Sequence, residues 1–293
     1  MIRTIGSALA AFALLSCQAT QSEAKPIRPA LWKVADADTT IYLFGTIHLL
    51  PKKLAWQSPK IEAAIKGSQG LVLETVMDKN PQATGAIMMR LGMTPGLPPL
   101  LDRVPADKRA ALQRIVTKSG VPIAVLDKFE TWAAALTLAS AGMRDLPVSA
   151  EYGAEAVLSR QFEGAKKPVS GLETPTQQLG YFDGLPEAAQ RKFLARIAED
   201  DTNARAEFDV MIAAWGSGDA KKIALTFDDE LKLSPELADV LLKQRNRNWA
   251  DWIVQRLAKP GSVFLAVGAG HLAGADAVTE LLTKRGFKVS RLQ

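Results

Sequence analysis

The chain has one cysteine in 293 residues, two histidines, few aromatics (6%) and no apolar run near the ~20 residues of a membrane-spanning helix. Each shortage excludes something. The lone Cys17 rules out a disulfide framework and leaves the folded domain without cysteine chemistry. No Gly-x-Ser-x-Gly elbow is present, which removes the usual signature of serine hydrolysis. The glycine-containing loops lack the lysine and glycine spacing of a phosphate-cradling P-loop. The net charge is +5, but Lys and Arg are scattered among Asp and Glu, and no basic run is interleaved with aromatics. Nucleic acid is therefore not an expected partner. What is present, 47% hydrophobic and 23% charged residues, is the composition of an ordinary globular protein, long enough for a sizeable core.

The first residues read as an export signal. Met1-Ile2-Arg3 supplies a positive charge, and Ile5 to Leu15 is an apolar run too short to span a bilayer. The run closes on Leu14-Leu15-Ser16-Cys17, which resembles a bacterial lipobox with Cys17 as the lipidated residue; cleavage after Ser22-Glu23-Ala24 is the alternative. The expectation is a signal peptide over residues 1–24 and one domain over 25–293. The protein is expected to be exported, either periplasmic or held at the outer membrane by an N-terminal lipid.

Leu31-Trp32-Lys33-Val34 and Thr39 to Phe44 flank Ala35-Asp36-Ala37-Asp38 as an opening β-hairpin. Ser58-Pro59 then caps a helix through Lys66, and Leu71-Val72-Leu73-Glu74 follows as a strand, making a strand–helix–strand unit with parallel strands. Helical spacing runs over Pro105 to Lys118, Thr131 to Ala141, Ala154 to Phe162 and most of Pro186 to Val254. Lys167 to Glu173, Ser262 to Val267 and Phe287 to Leu292 read as further strands, with a helix from about Ala275 to Lys284. Strand–helix alternation at both ends predicts an α/β domain, with the central helices as an insertion or cap.

The two histidines, His48 and His271, each stand three residues after a glycine that directly follows an apolar strand. With glycine at about 7% of an average chain, that coincidence has odds of about one in two hundred. Glycine permits a sharp turn or close approach, and the histidine falls in the loop beyond the carboxyl end of its strand, where open α/β sheets place ligands. Glu74 and Glu173 end their strands in the same way. Four strands thus deliver His48, Glu74, Glu173 and His271 to one rim. Two imidazoles and a carboxylate suit a divalent metal with open positions, and a second carboxylate suits proton transfer. Taken singly, each of these residues has a plainer reading as a surface or packing group, and Arg245-Asn246-Arg247-Asn248-Trp249 reads equally as a polar helix face anchored by Trp249.

At LFGTIHLLP, LVLET, GLETPTQQLGYFDGLP, RNRNWADWI and VFLAVGAGHLAG the chain resembles the TraB/PrgY/GumN family, related to the Tiki proteins. The resemblance implies an EreA/ChaN-like α/β fold, with a central mixed sheet flanked by helices and a helical insertion. It implies that His48 and His271 match the family's metal-site histidines and Glu74 the glutamate after its next strand, while Glu173, Gln178, Arg245 and Asn246 match further polar positions. It also implies metal-dependent proteolysis, with manganese or cobalt as the usual ion; zinc is the third candidate for the cofactor.

The leading expectation is a metal-dependent hydrolase of the cell envelope, a peptidase. His48, Glu74 and His271 hold the metal, Glu173 acts as general base, and Arg245 and Asn246 position a peptide or small-molecule substrate or stabilise an oxyanion. The alternative is a non-catalytic haem- or peptide-binding lipoprotein, since relatives of the fold include esterases and a haem-binding lipoprotein.

Overall fold

The computed structural model describes residues 27–78, 80–199, 204–232 and 234–293. The expected signal peptide over 1–24 and the Cys17 lipobox lie outside the described residues. Among the described residues no helix is long and apolar enough to cross a membrane.

The chain opens with β1 (Leu31–Ala35) and β2 (Thr39–Thr46), an antiparallel hairpin in the register Leu31↔Phe44 to Ala35↔Thr40. Its turn is made by Asp36, whose carboxylate accepts from the amides of Asp38 and Thr39. Helix α1 (Pro59–Gly67) starts as read: the Ser58 side chain accepts from the amide of Ile61, and Pro59 occupies the first turn, where no intrahelical N–H is needed. Then come β3 (Gly70–Thr75), α2 (Pro81–Leu91), α3 (Arg109–Ser119), α4 (Thr131–Gly142), α5 (Ala154–Gly164), β4 (Val169–Glu173), α6 (Pro175–Asp183), α7 (Glu187–Ile197), α8 (Ala204–Gly216) and α9 (Ala220–Lys232). A π-helical turn, Asp239–Lys243, leads into α10 (Gln244–Leu257), and β5 (Gly261–Gly268), α11 (Val278–Lys284) and β6 (Val289–Arg291) complete the chain.

These strands form one mixed sheet in the order β4-β3-β5-β2-β1-β6. Strands β4, β3, β5 and β2 are mutually parallel, and β1 is antiparallel to both of its neighbours. This is the α/β class, with helices packed on both faces. Alternation along the strands divides the core in two. Leu31, Phe44, Leu73 and Phe264 face one apolar layer with Trp56, Phe162 and Trp215. Trp32, Leu43, Val72 and Leu265 face the other, with Trp249 and Ile253 of α10. A third cluster built from Leu100, Leu112, Val116, Ala134, Leu138 and Leu194 belongs wholly to helices inserted around the sheet, as the central helical stretch predicts.

Strands β2 and β3 run parallel as expected, with β5 inserted between them. Helix α2 has no counterpart in the sequence reading, although Ala83, Ile87, Met88 and Leu91 recur at helical spacing and form its half-buried face. The last helix begins at Val278 instead of near Ala275, after Gly274 has turned the chain at φ +88.

Candidate functional site

Four adjacent parallel strands end on one edge, and they bring together the residues singled out in the sequence. In spatial order that edge carries Glu173 at the end of β4, Glu74 near the end of β3, His271 in the turn after β5, and His48 two residues past β2. The pairing Thr46↔Gly268 between β2 and β5 aligns the two glycine–histidine loops side by side.

Both glycines are needed for closeness, and neither for an unusual backbone angle. A Cβ on Gly45 would meet the Cα of Ala269 at 3.0 Å; one on Gly268 would meet Glu74 Oε1 at 3.1 Å and His271 Cδ2 at 3.5 Å. Neither glycine has positive φ. The chain therefore turns after Gly268 without a positive φ, and what both glycines permit is the tight approach.

The centre of the cluster is buried. Glu74 Oε1 accepts from the amide of Gly268 at 2.6 Å, and Oε2 accepts from Arg245 at 2.6 Å and from Gln178 at 3.2 Å. Glu173 accepts from Arg245 Nη2 at 2.8 Å, Trp249 Nε1 at 3.0 Å, Gln178 at 3.1 Å and the Tyr181 hydroxyl at 3.4 Å. Both of its oxygens are thus engaged, which makes it an anchor for the guanidinium. Arg245 and Trp249 lie four residues apart on α10 and so share the face turned to the rim. Arg245 stacks over the Trp249 ring at 4.7 Å, and the same indole packs on His271 with centroids 4.4 Å apart.

Asn246 fixes His271. Its Nδ2 donates to the carbonyl of Asp276 at 2.8 Å, so its Oδ1 is the atom facing His271 Nδ1 at 2.6 Å. Nδ1 must therefore carry the proton, and Nε2 presents its lone pair, 3.7 Å from Glu74 Oε1 and 3.2 Å from Arg245 Nη1. Asn246 is fully buried between this ring and the Asp276 carbonyl.

His48 is different. Its side chain is 71% exposed, yet its Nδ1 lies 2.7 Å from Glu155 Oε1, and the same oxygen accepts from Thr46 Oγ1 at 2.5 Å. Glu155 had no part in the sequence reading.

The electrostatics follow from these contacts. The hydrogen bond to Glu155 raises His48 to about 9. Burial pushes His271 down to about 4, with Arg245 and His48 acting in the same direction. For Glu74 burial acts upward, but the charges of His271 and Arg245 and the Gly268 amide outweigh it and hold the carboxyl at about 2. Arg245 is raised despite burial by its bonds to Glu173 and Glu74, so it stays charged. Charge coupling also links His48 with Glu74 and Arg245, which places it in the same electrostatic unit.

A family model matches residues 30–291, nearly the whole described chain. The chain belongs to the TraB/PrgY/gumN family. No curated protein and no solved structure matches it. The family match therefore supports the resemblance carried by the two Gly-x-x-His segments.

Whether this member of the TraB/PrgY/gumN family has the donors for a divalent ion is a question of chemistry and charge. Among the described residues no group of three or more His, Cys, Asp or Glu side chains already converges as a metal cage. The donor types nevertheless suit one. Each imidazole has its Nδ1 occupied by an oxygen acceptor, leaving Nε2, as metal-binding histidines commonly do. Two buried carboxylates stand against one guanidinium, so the cluster favours additional positive charge. The neighbour that an ion at His271 would have to move is Arg245 Nη1.

Proposed function

We propose that the protein is a metal-dependent hydrolase of the cell envelope, acting on peptides. One observation carries this reading: the two imidazoles, far apart in sequence, are each held at Nδ1 on the same sheet edge as Glu74. His48, Glu74 and His271 would hold the ion. When bound, a divalent metal such as manganese, cobalt or zinc polarises a carbonyl and lowers the pKa of water.

The chain's own residues do the rest. Asn246 fixes the His271 tautomer so that Nε2 would be the ligating atom. Glu173, with Trp249, Gln178 and Tyr181 around it, anchors Arg245 instead of serving as the proton acceptor first assigned to it. Arg245, with Nη1 moved off His271 and Nη2 still on the carboxylates, would supply positive charge beside the reacting carbonyl, as stabilising an oxyanion requires.

The test is metal analysis of untagged protein incubated with manganese, cobalt or zinc, followed by peptide cleavage assays. Near-stoichiometric metal that is lost in both His48→Ala and His271→Ala, together with cleavage that needs the metal, is expected. Wild-type protein that retains essentially no metal would overturn the reading. A visible absorption band on adding haem, with no peptide cleaved, would replace it with the binding protein.

A further inference from the structure

The two histidine loops are held in matching ways by helices that come from different parts of the chain. His271 has its Nδ1 on Asn246, in the first turn of α10. His48 has its Nδ1 on Glu155, the second residue of α5. The first pair is buried and has little freedom. The second is open to solvent on the histidine side, so a His48 ring left to itself would rotate among rotamers and exchange tautomers.

The main chain around Glu155 is built to bring it to His48. The amide of Ala154 donates to the carbonyl of Ile47 at 3.1 Å, and Leu50 and Ser149 exchange both backbone hydrogen bonds at 3.3 and 3.1 Å. Gly153 begins α5 in contact with the histidine itself: a Cβ there would lie 2.0 Å from His48 O and 2.8 Å from its carbonyl carbon. Glu155 is then fixed from a second side by Thr46 Oγ1, the last residue of β2. A carboxylate in the first turn of a helix is also favoured by the helix dipole. An ion pair this exposed adds little to stability, so its consequence lies in the orientation of the ring.

We infer that Glu155 is a positioning residue for His48, accepting its Nδ1–H and so presenting Nε2 as the reactive nitrogen at the sheet edge. The inference rests on the proposed function for what Nε2 then does, but the orientation itself is measured without metal.

With only two histidines in the chain, ring-nitrogen NMR of the full-length protein labelled with 15N-histidine reports each separately. At a pH where both rings are neutral, wild-type His48 should be in the Nδ1–H form. Glu155→Ala should convert it to the Nε2–H form that free histidine prefers, leaving the His271 signals unmoved. Glu155→Gln keeps an oxygen acceptor and should restore Nδ1–H. Glu155→Asp keeps the charge but withdraws the oxygen by one methylene, and should lose the lock while keeping the fold. It serves if the alanine variant does not fold. An unchanged His48 tautomer in folded Glu155→Ala or Glu155→Asp would overturn the inference.

Zinc or manganese titration gives the second readout. The alanine variant should bind the ion about 10–100-fold more weakly than wild type, and the glutamine variant should lie between them. Equal affinity in wild type and Glu155→Ala would also count against the inference. Should wild type bind no metal, the hydrolase reading falls, and the tautomer still decides the role of Glu155.

Discussion

His271 and Asn246 are joined through Nδ1 and Oδ1 at 2.6 Å, and the amide nitrogen of Asn246 is committed to the carbonyl of Asp276. The pair leaves no ambiguity about which imidazole nitrogen faces Glu74. Removing the amide would strand the buried His271 Nδ1 and the half-buried carbonyl of Asp276 at once. Asn246→Leu should therefore lower unfolding stability by about 1–3 kcal/mol, measured by urea denaturation. Asn246→Asp, which keeps an acceptor for His271, should weaken metal binding less than the leucine variant does. Equal binding by both would show that the His271 contact is immaterial.

Arg245 is the cation shared by two buried carboxylates, Glu74 and Glu173, at 2.6 and 2.8 Å. Arg245→Met leaves both without their cation and should cost about 3–5 kcal/mol. Adding Glu173→Leu to that variant should recover part of the loss. Divalent metal should raise the melting temperature of Arg245→Met by more than that of wild type, because an ion then replaces the missing positive charge. Thermal scans with and without zinc measure the difference; an equal shift would argue against any competition between Arg245 and an ion.

Acid should destabilise the metal-free protein in two stages. His271 titrates near 4 in the fold against 6.5 unfolded, so the unfolded chain binds more protons between those values and stability falls as the pH drops. Glu74, held at about 2 against 4.5, extends the loss below pH 4.5. His48 acts in the opposite direction: raised to about 9, it gives stability that is present below pH 6.5 and fades as the pH rises through 9. Its exposure makes that limb the shallower one. His271→Gln should flatten the decline between pH 6.5 and 4 in urea midpoints, and an unaltered slope would contradict the buried neutral ring.

Two glycine substitutions should have opposite signs. Gly153→Ala puts a methyl against the His48 carbonyl and should cost about 1–3 kcal/mol, together with metal affinity. Gly85→Ala, in the exposed middle of α2 where a Cβ would meet nothing within 4 Å, should stabilise by about 0.5–1 kcal/mol. Chemical denaturation of both variants is the check.

The rim was legible because apolar runs such as Leu71-Val72-Leu73 and Val263-Phe264-Leu265 mark parallel strands, and parallel strands deliver their last residues to one edge. Strand order was not legible. Strands β2, β3 and β5 are similarly apolar, and nothing local states that β5 pairs with both of the others. Arg245 stood out only through the family pattern, since its carboxylate partners lie 72 and 171 residues away. Glu155 was missed because an acidic residue in a first turn is unremarkable by itself. Its signal was Gly153, a glycine in place of a side-chain cap, marking a helix that begins against another backbone.

The contact between Gly45 and Ala269 has a consequence for the geometry of the whole edge. Since Gly45 of β2, three residues before His48, lies against the turn that bears His271, the spacing of the two rings is set where that strand meets that turn. A bulkier residue at position 45 would act as a wedge there, shifting the His271 turn relative to His48.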